Sequence, residues 1–174
     1  MNPSGQDVNP EALRIAMRYW ATGVTIVSSL FNDVRHGMTV SSFTSVSLIP
    51  PLVLVALEKI SRTHQLVEQS GVFGVTILRE NQQDISDRFA GRHTEYEDRF
   101  EGINTHTLIT GAPLVAGGLA YFDCQVVTTY NGGSHTLFIG SVVASLADGL
   151  YGQPLVYFDR AYRQLISDNG GNVV

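Results

Sequence analysis

Apolar positions along the chain fall into two rhythms. Between Asn9 and Gly23, Leu13, Ala16, Met17 and Trp20 recur at three- and four-residue steps, with Arg14 and Arg18 off that stripe. This is helical spacing. Asn9 is a capping residue, Pro10 suits the first helical position, Glu11 the first turn, and Gly23 is a stop signal. The stripe predicts a helix packed on a core. Beyond Gly23 the texture turns β-branched. GVTIVSSLF reads as a strand, Asn32-Asp33 as a turn, and HGMTVSSFTSVS as a second extended segment. PPLVLVALE is apolar without alternation, so it is expected to be a strand buried on both faces.

Ser61-Arg62-Thr63 opens a short helix through Gln69, closed by Gly71, and VFGVTIL follows as a fourth strand. Asn81 and Asp84 resemble a capping box that opens a helix ending at Phe89-Ala90-Gly91. Residues 91–107 are charged and turn-rich, a surface loop. LAYFDCQVVTTY then alternates as a long strand, Asn131-Gly132-Gly133-Ser134 turns, and HTLFIGSVVASL returns as its hairpin partner. Asp148-Gly149 turns again and PLVYF is a last short strand. No repeat or composition break marks a boundary, so residues 1–174 read as one domain with a frayed polar tail at 1–8. Six or seven strands and three helices predict a mainly β fold: an antiparallel β-barrel with peripheral helices.

Composition narrows the class. Of 174 residues, 44% are hydrophobic and 16% charged, which excludes disorder. Eleven basic against sixteen acidic residues give a net charge of -5, which argues against nucleic acid as a partner. The one cysteine, Cys124, excludes an internal disulfide and fits a cytoplasmic location. No apolar run approaches the ~20 residues that span a bilayer, so no membrane role is expected. The sequence lacks GxGxxG after a strand, GxxxxGK[ST], HExxH and GxSxG. Its five histidines include no closely spaced pair, so no metal site is assigned.

Three segments stand out chemically. Gly37–Ser47 is dense in hydroxyls; it reads either as a half-exposed strand or as an extended stretch lining a polar ligand. Glu58-Lys59-Ile60-Ser61-Arg62-Thr63-His64 places a helix start after a strand, where free amides, Arg62 and Lys59 suit an anion. Lys59 is the only lysine; the other ten basic residues are arginine. Gly132-Gly133-Ser134-His135 reads as a hairpin turn, with His135 either simply exposed or a donor to a ligand.

In order and spacing these segments resemble the flavin reductase-like family, the reductase components of two-component flavin-dependent monooxygenases. The matching stretches are ATGVTIV (21–27), HGMTVSSFTSVSL with PPLVLVAL (36–57), SRTH (61–64), DRFAG (87–91) and FEGI (100–103). GAPLVAGGLAYFDCQVV (111–127), GGSHTLFIGSV (132–142) and PLVYFDRAYRQL (154–165) complete the set. The resemblance implies a split β-barrel, a homodimer, and direct hydride transfer from NADH, or NADPH, to FMN or FAD. A partner monooxygenase component would receive the reduced flavin.

The resemblance also implies a flavin site drawn from Met38, Thr39, Val40, Ser41, Ser42, Ser45, Ser47, Glu58, Lys59, Ser61, Arg62, Thr63 and Phe89, with the ring along Thr39–Ser42 and the phosphate at Ser61–Thr63. A nicotinamide site would use Gly133, Ser134, His135 and Tyr162. The family's Gly-Asp-His turn is Gly133-Ser134-His135 here, without the acidic residue. Arg99 stands where the family often has a lysine. No side chain is implied as a nucleophile or as an acid or base. The alternative class is a non-catalytic flavin-binding or electron-carrying barrel.

Overall fold

The chain reverses at Asn32 and Asp33, whose φ angles of 48° and 62° form the left-handed turn that these two residues tolerate. In the computed structural model, which describes residues 9–92, 98–147 and 152–165, that turn is one of several hairpins building an antiparallel fold. The first elements are α1 (Pro10–Met17), β1 (Thr22–Gly23), β2 (Thr25–Phe31), β3 (Val34–Val40), β4 (Thr44–Leu48) and β5 (Pro51–Glu58). Then come α2 (Arg62–Ser70), β6 (Val72–Ile77), α3 (Gln83–Phe89), β7 (Thr105–His106) and β8 (Leu114–Val115). The long hairpin β9 (Ala120–Gly132) and β10 (His135–Ala147) is followed by β11 (Val156–Phe158) and β12 (Ala161–Arg163).

Seven strands form one sheet in the order β3-β2-β6-β9-β10-β5-β4. Val27, Val40, Val53, Val55, Phe73, Val75, Cys124 and Phe138 come from six of those strands yet share one buried cluster. A flat sheet cannot gather them, so the sheet wraps into a barrel, and its edge strands β3 and β4, unpaired on their outer sides among the described residues, mark the split. Gly140 is required at the wrap: a Cβ there would lie 2.5 Å from Phe73 Cζ. A second cluster, including Val24, Ile26, Leu78, Phe89, Phe100 and Leu155, packs the smaller β1-β11-β12 sheet against the barrel. Among the described residues no helix is long and apolar enough to cross a membrane.

The structure corrects several expectations. Helix α1 is capped by Asn9 as expected, but it ends at Met17 and buries none of its residues. Its stripe is exposed, Leu13 by 56% and Trp20 by 67%. The segment 36–47 is not one strand: the chain breaks at Ser41–Phe43, so β3 and β4 lie at opposite sheet edges. Strand β5 alternates after all, burying Val53, Val55 and Leu57 while Leu54 and Ala56 are half-buried. Asn81 does not cap α3. Gln82 precedes that helix without a side-chain cap bond, and its Oε1 instead accepts the Arg79 amide at 2.9 Å. Strand β12 was not expected; Asp159 and Arg160, with φ of 49° and 61°, turn the chain into it. The residue 1–8 tail and the Asp148-Gly149 turn lie outside the described residues.

Candidate functional site

Strand β3, the start of α2, the end of α3 and Arg99 enclose a cleft of about 390 Å³. Its lining includes His36, Met38 and Thr39 on β3, Glu58, Ser61 and Arg62 at the β5–α2 junction, and Phe89, Ala90 and Arg99. Each wall has a sequence cause. Gly37 lets the aromatic wall approach β3, because a Cβ there would meet Phe89 Cε1 at 2.8 Å. Phe89 in turn packs edge-on against Phe100, with ring centres 4.8 Å apart. Arg99 is fixed by donating Nη1–H to Gly37 O at 3.0 Å and to Phe89 O at 2.8 Å. Thr39 ties β3 to α3 by donating to Ser86 O at 2.6 Å.

The α2 end of the cleft is an anion-attracting surface. Ser61 caps the helix, its Oγ accepting the His64 amide at 3.2 Å. The Arg62 amide precedes the first intrahelical donor, Gln65, whose amide bonds Ser61 O, so it stays available at the positive end of the helix, whereas Thr63 is fully buried. His36 stands behind this end, its Nδ1 2.8 Å from Thr63 Oγ1. Burial, then the nearby Arg99 and Arg62 charges, lower the His36 pKa to about 4, with Asp98 opposing the shift. Burial also lowers Arg99. The imidazole is therefore neutral at pH 7, between two guanidinium groups.

The predicted flavin residues divide. Met38, Thr39, Glu58, Ser61, Arg62 and Phe89 meet around the cleft. Ser41 lies next door, in a hollow of about 140 Å³ that also touches Thr39, Ala90, Arg92, Tyr157 and Tyr162. Ser41 and Ser42 also border a third hollow, of about 400 Å³, beside Trp20 and Phe43. Most of the other predicted residues are occupied elsewhere. Val40 belongs to the barrel core and also lines the hollow of about 140 Å³ beside Ser41. Ser42 Oγ donates to Ala56 O at 2.8 Å and accepts the Ala56 amide at 3.2 Å. Thr63 is fully buried, its hydroxyl turned to His36 rather than outward. Ser45 and Ser47 sit on β4, the edge opposite β3, and line none of these hollows.

Lys59 also faces away from the cleft: its Nζ donates to Asn131 Oδ1 at 2.8 Å, and its amide to Ser134 O at 3.0 Å. These bonds join the β9–β10 turn to the β5–α2 junction, where His135 pairs in register with Glu58. Gly133 takes the positive φ of 77° that the turn needs, and Ser134 Oγ lies 2.9 Å from His135 Nδ1. Tyr162 is not beside this turn. Its hydroxyl lies 2.9 Å from Ser86 Oγ and 2.7 Å from Asp87 Oδ1, on the α3 side. Burial leads the upward shift of its pKa. The turn thus borders the cleft through Glu58, and Tyr162 borders it through the hollow that shares Thr39. Sequence reasoning missed His36 altogether and did not place Arg99 in the site. The HGMT and Asp98-Arg99-Phe100 runs held both residues but gave no sign of their meeting.

A family model described as a flavin reductase like domain matches residues 17–166. The chain belongs to the flavin reductase-like family. This flavin reductase-like chain is 35% identical over 156 residues to the reductase subunit HsaB of a flavin-dependent monooxygenase from Mycobacterium tuberculosis, covering 89% of this chain and 82% of that one. It is 37% identical over 156 residues to the reductase component of 4-hydroxyphenylacetate 3-monooxygenase from Thermus thermophilus, covering 90% and 97%. The NADH:FAD oxidoreductase SgcE6 of Streptomyces globisporus, solved with NAD and FAD fragments, superimposes with a TM-score of 0.84 at 31% identity. That match covers 95% of this chain and all of the other. The barrel, its split and the three helices among the described residues are thus those of flavin reductases. Cys124 is a buried free thiol in the barrel core, and burial followed by the Asp123 charge pushes it up to about 12.

Proposed function

We propose that this protein is an NAD(P)H-dependent flavin reductase that moves a hydride from NADH to FMN or FAD and supplies the reduced flavin to a partner monooxygenase. One observation carries the reading. The cleft places the free Arg62 amide, the Ser61 hydroxyl and the Arg62 side chain at one end and the β3 segment with Phe89 along its length. That donor set fits a flavin phosphate, and the extended wall beside it fits a flat ring; about 390 Å³ is in the range of small-molecule sites. The relatives' names, monooxygenase reductase components and an NADH:FAD oxidoreductase, point the same way.

In this reading Ser61, the Arg62 amide and the Arg62 side chain hold the phosphate, with buried Thr63 supporting them from behind, while Met38, Thr39 and Ser41 support the ring from β3. Arg99 adds positive charge to the cleft, which favours an anionic reduced state. Bound flavin supplies the redox chemistry by accepting a hydride. The protein orients two flat rings against one another and contributes no nucleophile. His135 on its turn receives the nicotinamide nucleotide, with Tyr162 closing the α3 side. NADH is the assigned donor and NADPH the variant donor.

The reading extends to assembly and place. The chain works as a cytoplasmic homodimer built of one domain. Exposed Leu13, Met17 and Trp20 on and after α1, and Leu48 and Ile49 at 85% and 94% exposure, give it an apolar surface to bury. Phe43 and Phe122 contribute less than the sequence suggests, since they pack on each other with centres 5.3 Å apart.

The test is direct. Purified protein is mixed with FMN or FAD and excess NADH in air, and the nicotinamide absorbance is followed. Continuous loss that needs both flavin and protein is expected. A single stoichiometric oxidation and no turnover would replace this reading with an electron-carrying barrel.

A further inference from the structure

The cleft contains a histidine that the phosphate-binding reading does not use. His36 sits on β3, opposite the start of α2, and lines the same cleft as Ser61, Arg62 and Arg99. Its Nδ1 is engaged with Thr63 Oγ1 at 2.8 Å. Its Nε2 has no partner among the described residues and is not among the sealed, unsatisfied atoms, so it is the nitrogen open to the cleft. The Thr63 bond fixes the ring plane, because Thr63 is fully buried and held within α2.

We propose that His36 is a phosphate-site residue that takes up a proton when an anionic flavin nucleotide binds, so that nucleotide binding and protonation are coupled in this cleft. The inference rests on the flavin reading and adds to it a residue and a proton. Without ligand, the groups facing the ring are Arg62 from α2, Arg99 and Asp98 from the loop after α3, and Glu58 at the end of β5. Phe89 and Thr63 add no charge, and Ser29 is its neutral partner on β2. Burial first, and then these two cations, hold the imidazole neutral. A dianionic phosphate placed at Ser61–Arg62 reverses that field. An opposite charge within about 4–6 Å favours a basic group's charged form and raises its pKa by about 1–3 units. The proton comes from solvent and goes to the ring, leaving Nδ1–H directed at Thr63 Oγ1 and Nε2–H directed at the ligand. No bond to the flavin changes.

Two measurements test this on the intact protein. The first follows the histidine ring signals by NMR from pH 4 to 8, assigned by their loss in His36→Asn, without ligand and with saturating FMN or riboflavin. His36 is expected to titrate near pH 4 when free or bound to riboflavin, and about two to three units higher with FMN. The second is calorimetry of FMN binding at pH 6 in buffers of different ionisation enthalpy. The wild type is expected to take up about half a proton or more beyond His36→Asn, whose affinity should be about two- to tenfold lower at pH 6 and equal at pH 8.

The wild-type titration stands alone if the variant does not fold, with His36 then assigned through its neighbours in the backbone spectrum. FMN that binds without moving the His36 titration overturns the inference and leaves the flavin reading intact. No binding of FMN, FAD or riboflavin overturns both.

Discussion

Lys59 Nζ donates to Asn131 Oδ1 across 2.8 Å, and that same oxygen accepts the Gly133 amide at 3.1 Å. The chain's only lysine thus buttresses the β9–β10 turn instead of adding charge to the anion site. Lys59→Met keeps the aliphatic stem and removes the donor. It is expected to raise KM for NADH about three- to tenfold, from the loss of roughly 1 kcal/mol of turn order. Kd for FMN should stay within twofold. Steady-state kinetics with NADH varied, alongside a flavin titration, separate the two; a weakened FMN Kd at unchanged KM would return Lys59 to the phosphate site.

His135→Ala tests the turn itself. With Gly133 kept, the turn retains its shape, so Tm should hold while kcat/KM for NADH falls by about 1–3 kcal/mol equivalent, one hydrogen bond to a polar ligand. Ser134→Asp restores the residue usual in the family and should keep or improve NADH use. A lower Tm with unchanged kinetics would make His135 structural only.

The two hydroxyls at the start of α2 have different work. Ser61→Ala removes a helix cap, with a stability loss of about 1 kcal/mol, and should weaken FMN while sparing riboflavin. Thr63→Val keeps shape but deprives His36 of its partner. Its main effect should be on stability, about 1–3 kcal/mol, for a buried polar group left unpaired. Urea unfolding and parallel FMN and riboflavin titrations distinguish them. An FMN loss in Thr63→Val as large as in Ser61→Ala, without a stability change, would place the Thr63 hydroxyl on the ligand.

Acid should destabilise the free protein through His36. Its folded pKa, about 4, lies below the usual 6.5, so the unfolded chain binds the proton more readily. The stabilising contribution is complete above about pH 6.5 and is lost as pH falls towards 4. Urea midpoints from pH 7.5 to 5 should therefore decline less steeply in His36→Gln than in wild type. Parallel slopes would remove His36 from the pH dependence.

Gly37→Ala places a Cβ 2.8 Å from Phe89 Cε1 and 3.1 Å from Phe100 Cζ. Both rings are buried and cannot both retreat, so overpacking should cost about 1–3 kcal/mol. In a chain of this size that is a Tm drop of roughly 2–12 °C. Flavin affinity should fall as well, since Phe89 lines the cleft.

Light scattering at micromolar concentration is expected to give about twice the chain mass of 19.0 kDa. A monomer at that concentration would leave Leu48, Ile49 and Trp20 without the partner surface assigned to them.

The sequence was most legible where a signal is local. Asn9, Ser61 and Gly71 mark helix ends through their own backbone and side-chain chemistry, and all three do so in the structure. The turns at 32–33 and 133–134 were equally plain, because positive φ needs Asn, Asp or Gly. Burial was harder to read. The α1 stripe has core periodicity but meets no core in one chain, since periodicity does not say what a face is buried against. Distant juxtaposition left the least trace. His36 and Thr63, or Lys59 and Asn131, meet because α2 packs on β3 and sheet order brings the β9–β10 hairpin to β5, and nothing near any of the four residues encodes that meeting. The Thr39–Ser42 segment shows the middle case, its hydroxyls legible as unusual but their division among ligand wall, helix tether and β5 visible only in three dimensions.

The place of the β9–β10 hairpin has a consequence for the order in which the protein can be made. β5 and β6 are separated by only the α2 helix in sequence, yet in the sheet both arms of the hairpin lie between them. Until residues 120–147 have left the ribosome, β5 and β6 each present a bare backbone edge, and the first hundred residues are two half-sheets with no seam. Such edges are templates for mispairing, and pairings so distant in sequence form slowly. The cleft is touched by that order, for β5, which leads into its α2 end, gains its second neighbour only when β10 docks. The residues that line the cleft, between His36 and Arg99, thus leave the ribosome before the strand that completes the sheet beside them.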